Sequence, residues 1–170
     1  MPRNIEIKAR ITSVEALLPR AQQLAGHGPT LIDQDDSFFT VPNGRLKLRQ
    51  FADGSAELIH YHRADSAETK ASDYVRVPVA DPAALREALA RACGLRGRVV
   101  KRRWLFLVGP TRVHVDRVQG LGDFMELEVV LGDGMSDEEG GAIAERLMAE
   151  LGLADAERLS GAYLDLLAVR

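Results

Sequence analysis

The chain begins with a strictly alternating stretch, Arg3-Asn4-Ile5-Glu6-Ile7-Lys8-Ala9-Arg10. Side chains of a β-strand point alternately to its two faces, so isoleucine and alanine share one face and the polar groups share the other. The polar face carries an amide, an acid and two bases in a row. Later stretches repeat the arrangement. The pattern favours a sheet that curls around a charged interior.

Turn signals and helix caps predict the other elements. We predict strands at residues 3–11, 35–41, 45–49, 56–63, 72–79, 98–108, 111–118 and 124–131. Helices are predicted at 14–25, 82–93 and 136–152, with a short C-terminal helix near 160–167. Short hairpins join most strands. These elements predict one α+β domain over residues 1–170, an eight-stranded antiparallel β-barrel, or tunnel, with helices packed outside.

The polar faces of five predicted strands concentrate charge. Eight bases would face the lumen: Lys8, Arg10, Arg45, Lys47, Arg49, Lys101, Arg103 and Arg112. Four acids would join them: Glu6, Asp116, Glu126 and Glu128. His114 shares this parity and is expected to be a hydrogen-bonded wall residue.

An interior with such an excess of positive charge is costly unless water or a ligand compensates it. A triphosphate carries roughly four negative charges. Clustered carboxylates suit Mg²⁺ or Mn²⁺. The alternative is that these faces are simply exposed to water. Helices packed against the apolar faces would exclude this alternative.

Composition limits the partners and the compartment. A net charge of −3 over 170 residues creates no basic field, so we expect no nucleic-acid partner. No apolar run is long enough to cross a membrane. We also expect no signal peptide, because the first residues read as a polar strand. The single Cys93 cannot form an internal disulfide, which favours a reducing cytoplasm. A homodimer is compatible with this composition.

Several motifs in order resemble the CYTH, or triphosphate tunnel metalloenzyme, family. That family includes class IV adenylyl cyclases and thiamine triphosphatases. The motifs lie at residues 4–8, 44–49, 58–63, 100–103, 112–116 and 120–128. The resemblance covers nearly the whole chain, and it implies an eight-stranded antiparallel tunnel.

The resemblance also implies the site residues. A triphosphate, of ATP or of another organic or inorganic compound, would be held by Lys8, Arg45, Lys47, Arg49, Arg63, Lys101, Arg103 and Arg112. Mg²⁺ or Mn²⁺ would be bound by Glu6, Asp116, Glu126 and Glu128. The catalytic residues would be Glu6, Lys8, Glu126 and Glu128.

Two departures from the family pattern leave the reaction open. Asn4 stands where the family has the first signature Glu, and Phe38-Phe39 stands where some hydrolytic members have a Tyr. The first hypothesis is an adenylyl cyclase that converts ATP to cyclic AMP and pyrophosphate. The alternatives are a triphosphatase, acting for example on thiamine triphosphate, and a binding module without turnover.

Overall fold

A computed structural model describes residues 3–63 and 72–168, and within them the chain forms eight strands and four helices. The strands are β1 Arg3–Arg10, β2 Thr30–Phe39, β3 Arg45–Phe51, β4 Ala56–Arg63, β5 Ser72–Pro78, β6 Leu95–Val108, β7 Thr111–Val118 and β8 Gly122–Leu131. The helices are α1 Val14–Ala25, α2 Pro82–Cys93, α3 Asp137–Glu150 and α4 Tyr163–Ala168. None of these helices is long and apolar enough to cross a membrane.

All eight strands join one antiparallel sheet in the order β1-β8-β7-β6-β2-β3-β4-β5. The sheet curls so that its two edge strands, β1 and β5, approach each other. The result is a half-barrel with an inner and an outer face. This arrangement confirms the predicted α+β tunnel fold.

The outer face of the sheet carries the main hydrophobic core. Side chains of β1, β7 and β8 pack there against α1 and α3, and the fully buried ones include Val113, Met125 and Leu127. Burying one such side chain stabilises the fold by about 1.5–3 kcal/mol. Because the helices cover the apolar faces, the charged faces of these strands point into the tunnel. Simple solvent exposure of the charged faces is therefore excluded for these strands.

Helix α3 approaches the sheet closely because it has a glycine at the contact. A Cβ at Gly140 would lie 2.9 Å from Cγ1 of Ile5 on β1. Ser136 caps this helix by accepting a hydrogen bond from the Glu139 N–H, and Glu139 in turn accepts from the Ser136 N–H. This reciprocal capping box fixes where the helix begins.

Strands β2 and β6 begin earlier than the sequence predicted. The first half of β2, from Thr30 to Gln34, pairs with β6 between Leu105 and Lys101. The run Thr-Leu-Ile-Asp-Gln has no clean alternation of polar and apolar residues. Pairing with a distant strand therefore determines its conformation, which a local pattern cannot reveal.

Candidate functional site

The tunnel encloses a cavity of about 160 Å³ that is rich in charge. Among the residues that the structure describes, seven basic side chains line it: Lys8, Lys47, Arg49, Arg76, Lys101, Arg103 and Arg112. Four acidic side chains share the cavity: Glu6, Asp36, Glu126 and Glu128. The basic groups thus outnumber the acidic ones by three. We call the seven basic side chains the anion site.

Three side chains at one side of the cavity form what we call the donor group. Glu126 and Glu128 lie on β8, and His114 lies on β7 directly opposite Glu126. One ligand atom from each lies within 4.8 Å of the others. Glu6 is the register partner of Glu128 across β1, so a further carboxylate stands beside the group.

The donor group fits a divalent cation. His114 is 4% exposed, and within the described residues its Nδ1 has no hydrogen-bond partner. Burial and the positive charge of Arg103 lower the pKa of His114 to about 3, so the imidazole is neutral at pH 7. Burial and the charge of Glu126 raise the pKa of Glu128. A neutral imidazole with two carboxylates suits Mn²⁺ better than Mg²⁺, which prefers oxygen ligands.

The carboxylate of Asp116, a predicted metal ligand, is hydrogen-bonded to an arginine. Its two oxygens accept hydrogen bonds from Nε and Nη2 of Arg103 at 2.8 and 2.7 Å, and the Tyr163 hydroxyl donates to it at 2.8 Å. Burial opposes ionisation, but Arg103 outweighs it and holds the pKa of Asp116 at about 2. Asp116 lies outside the donor group of the described residues. Its role as a metal ligand stays a prediction.

Asp36 is an acid of the tunnel that the sequence reasoning missed. Arg49 donates to both of its oxygens at 2.8 and 2.7 Å, and Lys47 donates at 3.2 Å. Burial opposes ionisation of Asp36, but Lys47 and Arg49 outweigh it and hold its pKa well below the usual range. The parity of Asp36 with Phe38, which also lines the cavity, could have revealed it.

The lysines of the anion site are crowded by like charge. Burial and the neighbouring Arg49 lower the pKa of Lys47 from 10.5 to about 8. Burial and Arg103 lower the pKa of Lys101 well below its ordinary value. A bound anion would reverse both effects, because an opposite charge favours the ammonium form.

The C-terminal segment, residues 161–167, closes part of the tunnel. Ala162, Tyr163 and Leu164 line the cavity. Lys8 donates a hydrogen bond to the carbonyl oxygen of Gly161 at 3.2 Å. The short docking helix was expected, but the entry of Tyr163 into the charged cavity was not.

The other predicted site residues take different positions. Arg45 donates to Asp165 of the C-terminal segment at 3.0 Å and does not line the cavity described above. Arg112 lines it, and its side chain is half exposed. Arg10 is exposed beside Glu157. The side chain of Arg63 lies outside the part of the chain that the structure describes.

Strands β4 and β5 contribute groups to the cavity that were not assigned to it from the sequence. Tyr61, Tyr74 and Arg76 all line the cavity. The Arg76 guanidinium lies 4.9 Å from the centre of the Tyr74 ring. Asn4 also lines the cavity, and in the described part of the chain its Oδ1 has no hydrogen-bond partner.

Comparison with known proteins gives concordant results. The chain matches the family model of the CYTH domain over residues 2–163. It is 27% identical over 173 residues to the adenylate cyclase CyaB of Aeromonas hydrophila, covering 94% of this chain and 85% of that protein. The structure of the PH1012 protein from Pyrococcus horikoshii superposes with a TM-score of 0.81 at 26% identity, covering 96% of this chain and 98% of that one. A conserved hypothetical protein from Pyrococcus furiosus has the same score and identity and covers 96% and 99%.

Proposed function

Because the chain belongs to the CYTH domain family, we propose that it is a metal-dependent enzyme that binds a triphosphate in its tunnel and cleaves it. The family includes adenylyl cyclases and triphosphatases. The observation that carries the proposal is the position of the anion site and the donor group in one cavity. Such a pairing of bases with metal-binding groups suits a polyphosphate bridged to a cation.

The basic side chains would bind and orient the phosphates. Lys8, Lys101 and Arg103 come from strands β1 and β6, whereas Lys47 and Arg49 come from β3 on the other side of β2. Phosphate oxygens would replace part of the contact that Asp36 makes with Lys47 and Arg49. Asp36 keeps these two cations in place while the site holds no anion, and this lowers the cost of organising them.

The donor group would hold the cation. Glu126, Glu128 and His114 offer three ligands. Glu6, the register partner of Glu128 on β1, would add a fourth or orient a bound water. A cation there would offset the negative charge that develops on the phosphoryl oxygens. Asn4 can offer a carbonyl oxygen but no charge, which favours a single tightly bound ion over two.

Adenylyl cyclase activity is the first candidate. It is supported by the likeness to a protein named adenylate cyclase and by Phe38, which puts a ring without a hydroxyl on the cavity wall. In this reaction the ribose 3′-oxygen attacks the α-phosphorus. The bond to the bridging oxygen breaks, pyrophosphate leaves, and the hydroxyl proton is released to solvent or to a carboxylate.

A triphosphatase is the second candidate. Tyr61 and Tyr74 line the cavity and could orient a water molecule toward a terminal phosphorus. Both reactions would use the same anion site, and they differ in which phosphorus lies beside the donor group. A triphosphate-binding protein without turnover is the third reading, motivated by Asn4.

Product analysis tests the proposal. Purified protein is incubated with ATP, thiamine triphosphate or tripolyphosphate, each with Mg²⁺ or Mn²⁺. Cyclic AMP with pyrophosphate supports the cyclase, and orthophosphate supports the triphosphatase. Binding without product supports the third reading. If the protein neither binds any of the three compounds nor forms a product from them, the proposal is refuted. The Glu128→Gln variant is the matched control: it should lose metal-dependent turnover while its circular dichroism spectrum stays unchanged.

A further inference from the structure

One buried tyrosine connects the C-terminal segment to acidic and basic side chains of the tunnel. Tyr163 is 4% exposed and lies at the start of α4. Its hydroxyl donates to Oδ2 of Asp116 at 2.8 Å. Its ring centre lies 4.2 Å from Nζ of Lys8 and 5.1 Å from Nζ of Lys101. Contacts of this kind with three charged residues are not needed merely to pack the segment.

We propose that Tyr163 is a positioning residue of the anion site, in which its hydroxyl fixes the Asp116–Arg103 pair and its ring holds the ammonium groups of Lys8 and Lys101. The proposal rests on the proposed function only for the nature of the anion. The positioning itself is a property of the protein without ligand.

The hydroxyl acts through Asp116 on Arg103. Asp116 is fully buried, so its carboxylate needs partners on both oxygens. Arg103 supplies two of them, and Tyr163 supplies a third contact on Oδ2. Burial and the charge of Asp116 raise the pKa of Tyr163 well above its ordinary value, so the hydroxyl remains a donor. The carboxylate is thereby held in one plane, which orients the guanidinium of Arg103.

The orientation of Arg103 also affects the donor group. Nη2 of Arg103 lies 2.7 Å from Asp116 and 3.7 Å from Oε2 of Glu126. If the contact with Asp116 loosened, Arg103 could move to Glu126 and compete with a cation for that carboxylate. A fixed Asp116 therefore keeps Arg103 available to the anion and Glu126 available to the donor group.

The ring acts on two lysines of like charge. Lys8 and Lys101 lie on different strands, and the Nζ atom of each lies over the ring of Tyr163. The face of an aromatic ring attracts cations, and this attraction strengthens where water is excluded. The ring therefore holds both ammonium groups beside the charged cavity. The two ammonium groups are therefore already ordered when an anion binds.

Two substitutions separate the roles of the hydroxyl and the ring. Tyr163→Phe removes the hydroxyl and keeps the ring, whereas Tyr163→Leu removes both. The control is Leu167→Ala, which loosens the packing of the same segment, because Leu167 packs against the apolar cluster that contains Tyr163 and Leu164. Tripolyphosphate binding is measured by calorimetry in EDTA, and thermal unfolding is recorded for each protein. We expect Tyr163→Phe to weaken binding by about fivefold and Tyr163→Leu by about thirtyfold or more, with less than a twofold effect for Leu167→Ala.

Lysine NMR supplies a readout that does not depend on any ligand. The chain has only four lysines, so ¹³C labelling of their ε-carbons yields a simple spectrum. Stacking on Tyr163 should shift the ε-methylene signals of Lys8 and Lys101 upfield. These shifts should persist in Tyr163→Phe and disappear in Tyr163→Leu. Lys47 is the internal control, because it lies over Phe38 and Tyr61 and should not change.

Each outcome decides one part of the proposal. Unchanged Lys8 and Lys101 signals in Tyr163→Leu overturn the role of the ring. Wild-type affinity of Tyr163→Phe overturns the role of the hydroxyl. Equal losses of affinity in Tyr163→Leu and Leu167→Ala show that the segment matters only by its packing. If the wild-type protein binds none of ATP, thiamine triphosphate and tripolyphosphate, the proposed function fails, while the NMR comparison still decides whether Tyr163 positions the lysines. Should Tyr163→Leu not fold, Tyr163→Met replaces it in both measurements.

Discussion

Replacing Lys47 by arginine should remove part of the pH dependence of triphosphate binding. Lys47 has a pKa of about 8 in the protein without ligand, because burial and Arg49 disfavour its charged form. A bound triphosphate favours the charged form, so binding above pH 8 must be accompanied by proton uptake. The affinity of the wild-type protein should therefore fall as the pH rises through 8.

The size of this effect follows from the fraction of Lys47 that is protonated. With a pKa of about 8, that fraction falls about 25-fold between pH 7.5 and 9.5, and the affinity should fall by a similar factor. Lys101 adds to the slope in both proteins, because its pKa is also lowered. An arginine at position 47 stays charged throughout this range. The wild-type protein should thus lose about 25-fold more affinity than Lys47→Arg over this interval.

Calorimetric titration with tripolyphosphate in EDTA at several pH values measures the effect. The effect of ligand ionisation on the affinity cancels in the ratio of the two affinities at each pH, because both proteins are titrated with the same ligand solution. Buffers of different ionisation enthalpy report the number of protons taken up. If Lys47→Arg loses affinity as steeply as the wild type, Lys47 is not the group that titrates on binding, and the reasoning is refuted.

The lowered pKa of Lys47 has the opposite effect on the stability of the protein without ligand: the free energy of unfolding rises with pH, whereas the affinity falls. Between pH 8 and 10.5 the unfolded chain, with its ordinary lysine, binds the proton more tightly than the folded protein does. The contribution of Lys47 to the free energy of unfolding therefore increases with pH in this window. Urea unfolding of the wild type and Lys47→Arg at pH 8 and 10 compares the two contributions.

Three further predictions test the donor group, the anion site and the core. His114→Gln should weaken Mn²⁺ binding about tenfold and affect Mg²⁺ less, because an imidazole ligand is lost; electron paramagnetic resonance of free Mn²⁺ measures this, and equal Mn²⁺ affinity contradicts it. Arg49→Ala should weaken triphosphate binding by about 1.5–3 kcal/mol, the range for a charge-assisted hydrogen bond, and an unchanged calorimetric affinity would remove Arg49 from the site. Gly140→Ala should lower the free energy of unfolding by about 1–3 kcal/mol, because its Cβ would crowd Ile5; urea unfolding measures this, and wild-type stability means that α3 can move aside.

Much of the tunnel could be predicted from local sequence because the period of a strand is two. Once Ile5 and Ile7 are assigned to one face, Glu6 and Lys8 must lie on the other. The same rule placed Lys101 and Arg103 on the inner face of β6, and Glu126 and Glu128 on that of β8. Neither inference needs knowledge of which strands are neighbours.

Only the tertiary structure decided which charges meet. The pair of Arg103 and Asp116 depends on the register of β6 against β7, and the capture of Asp36 by Arg49 depends on that of β2 against β3. Tyr163 reaches Asp116 across 47 residues of sequence, and Asp165 reaches Arg45 across 120. Alternation assigns a side chain to a face, but it does not choose its partner. That choice follows from the closure of the sheet, which brings distant segments within a hydrogen bond's length.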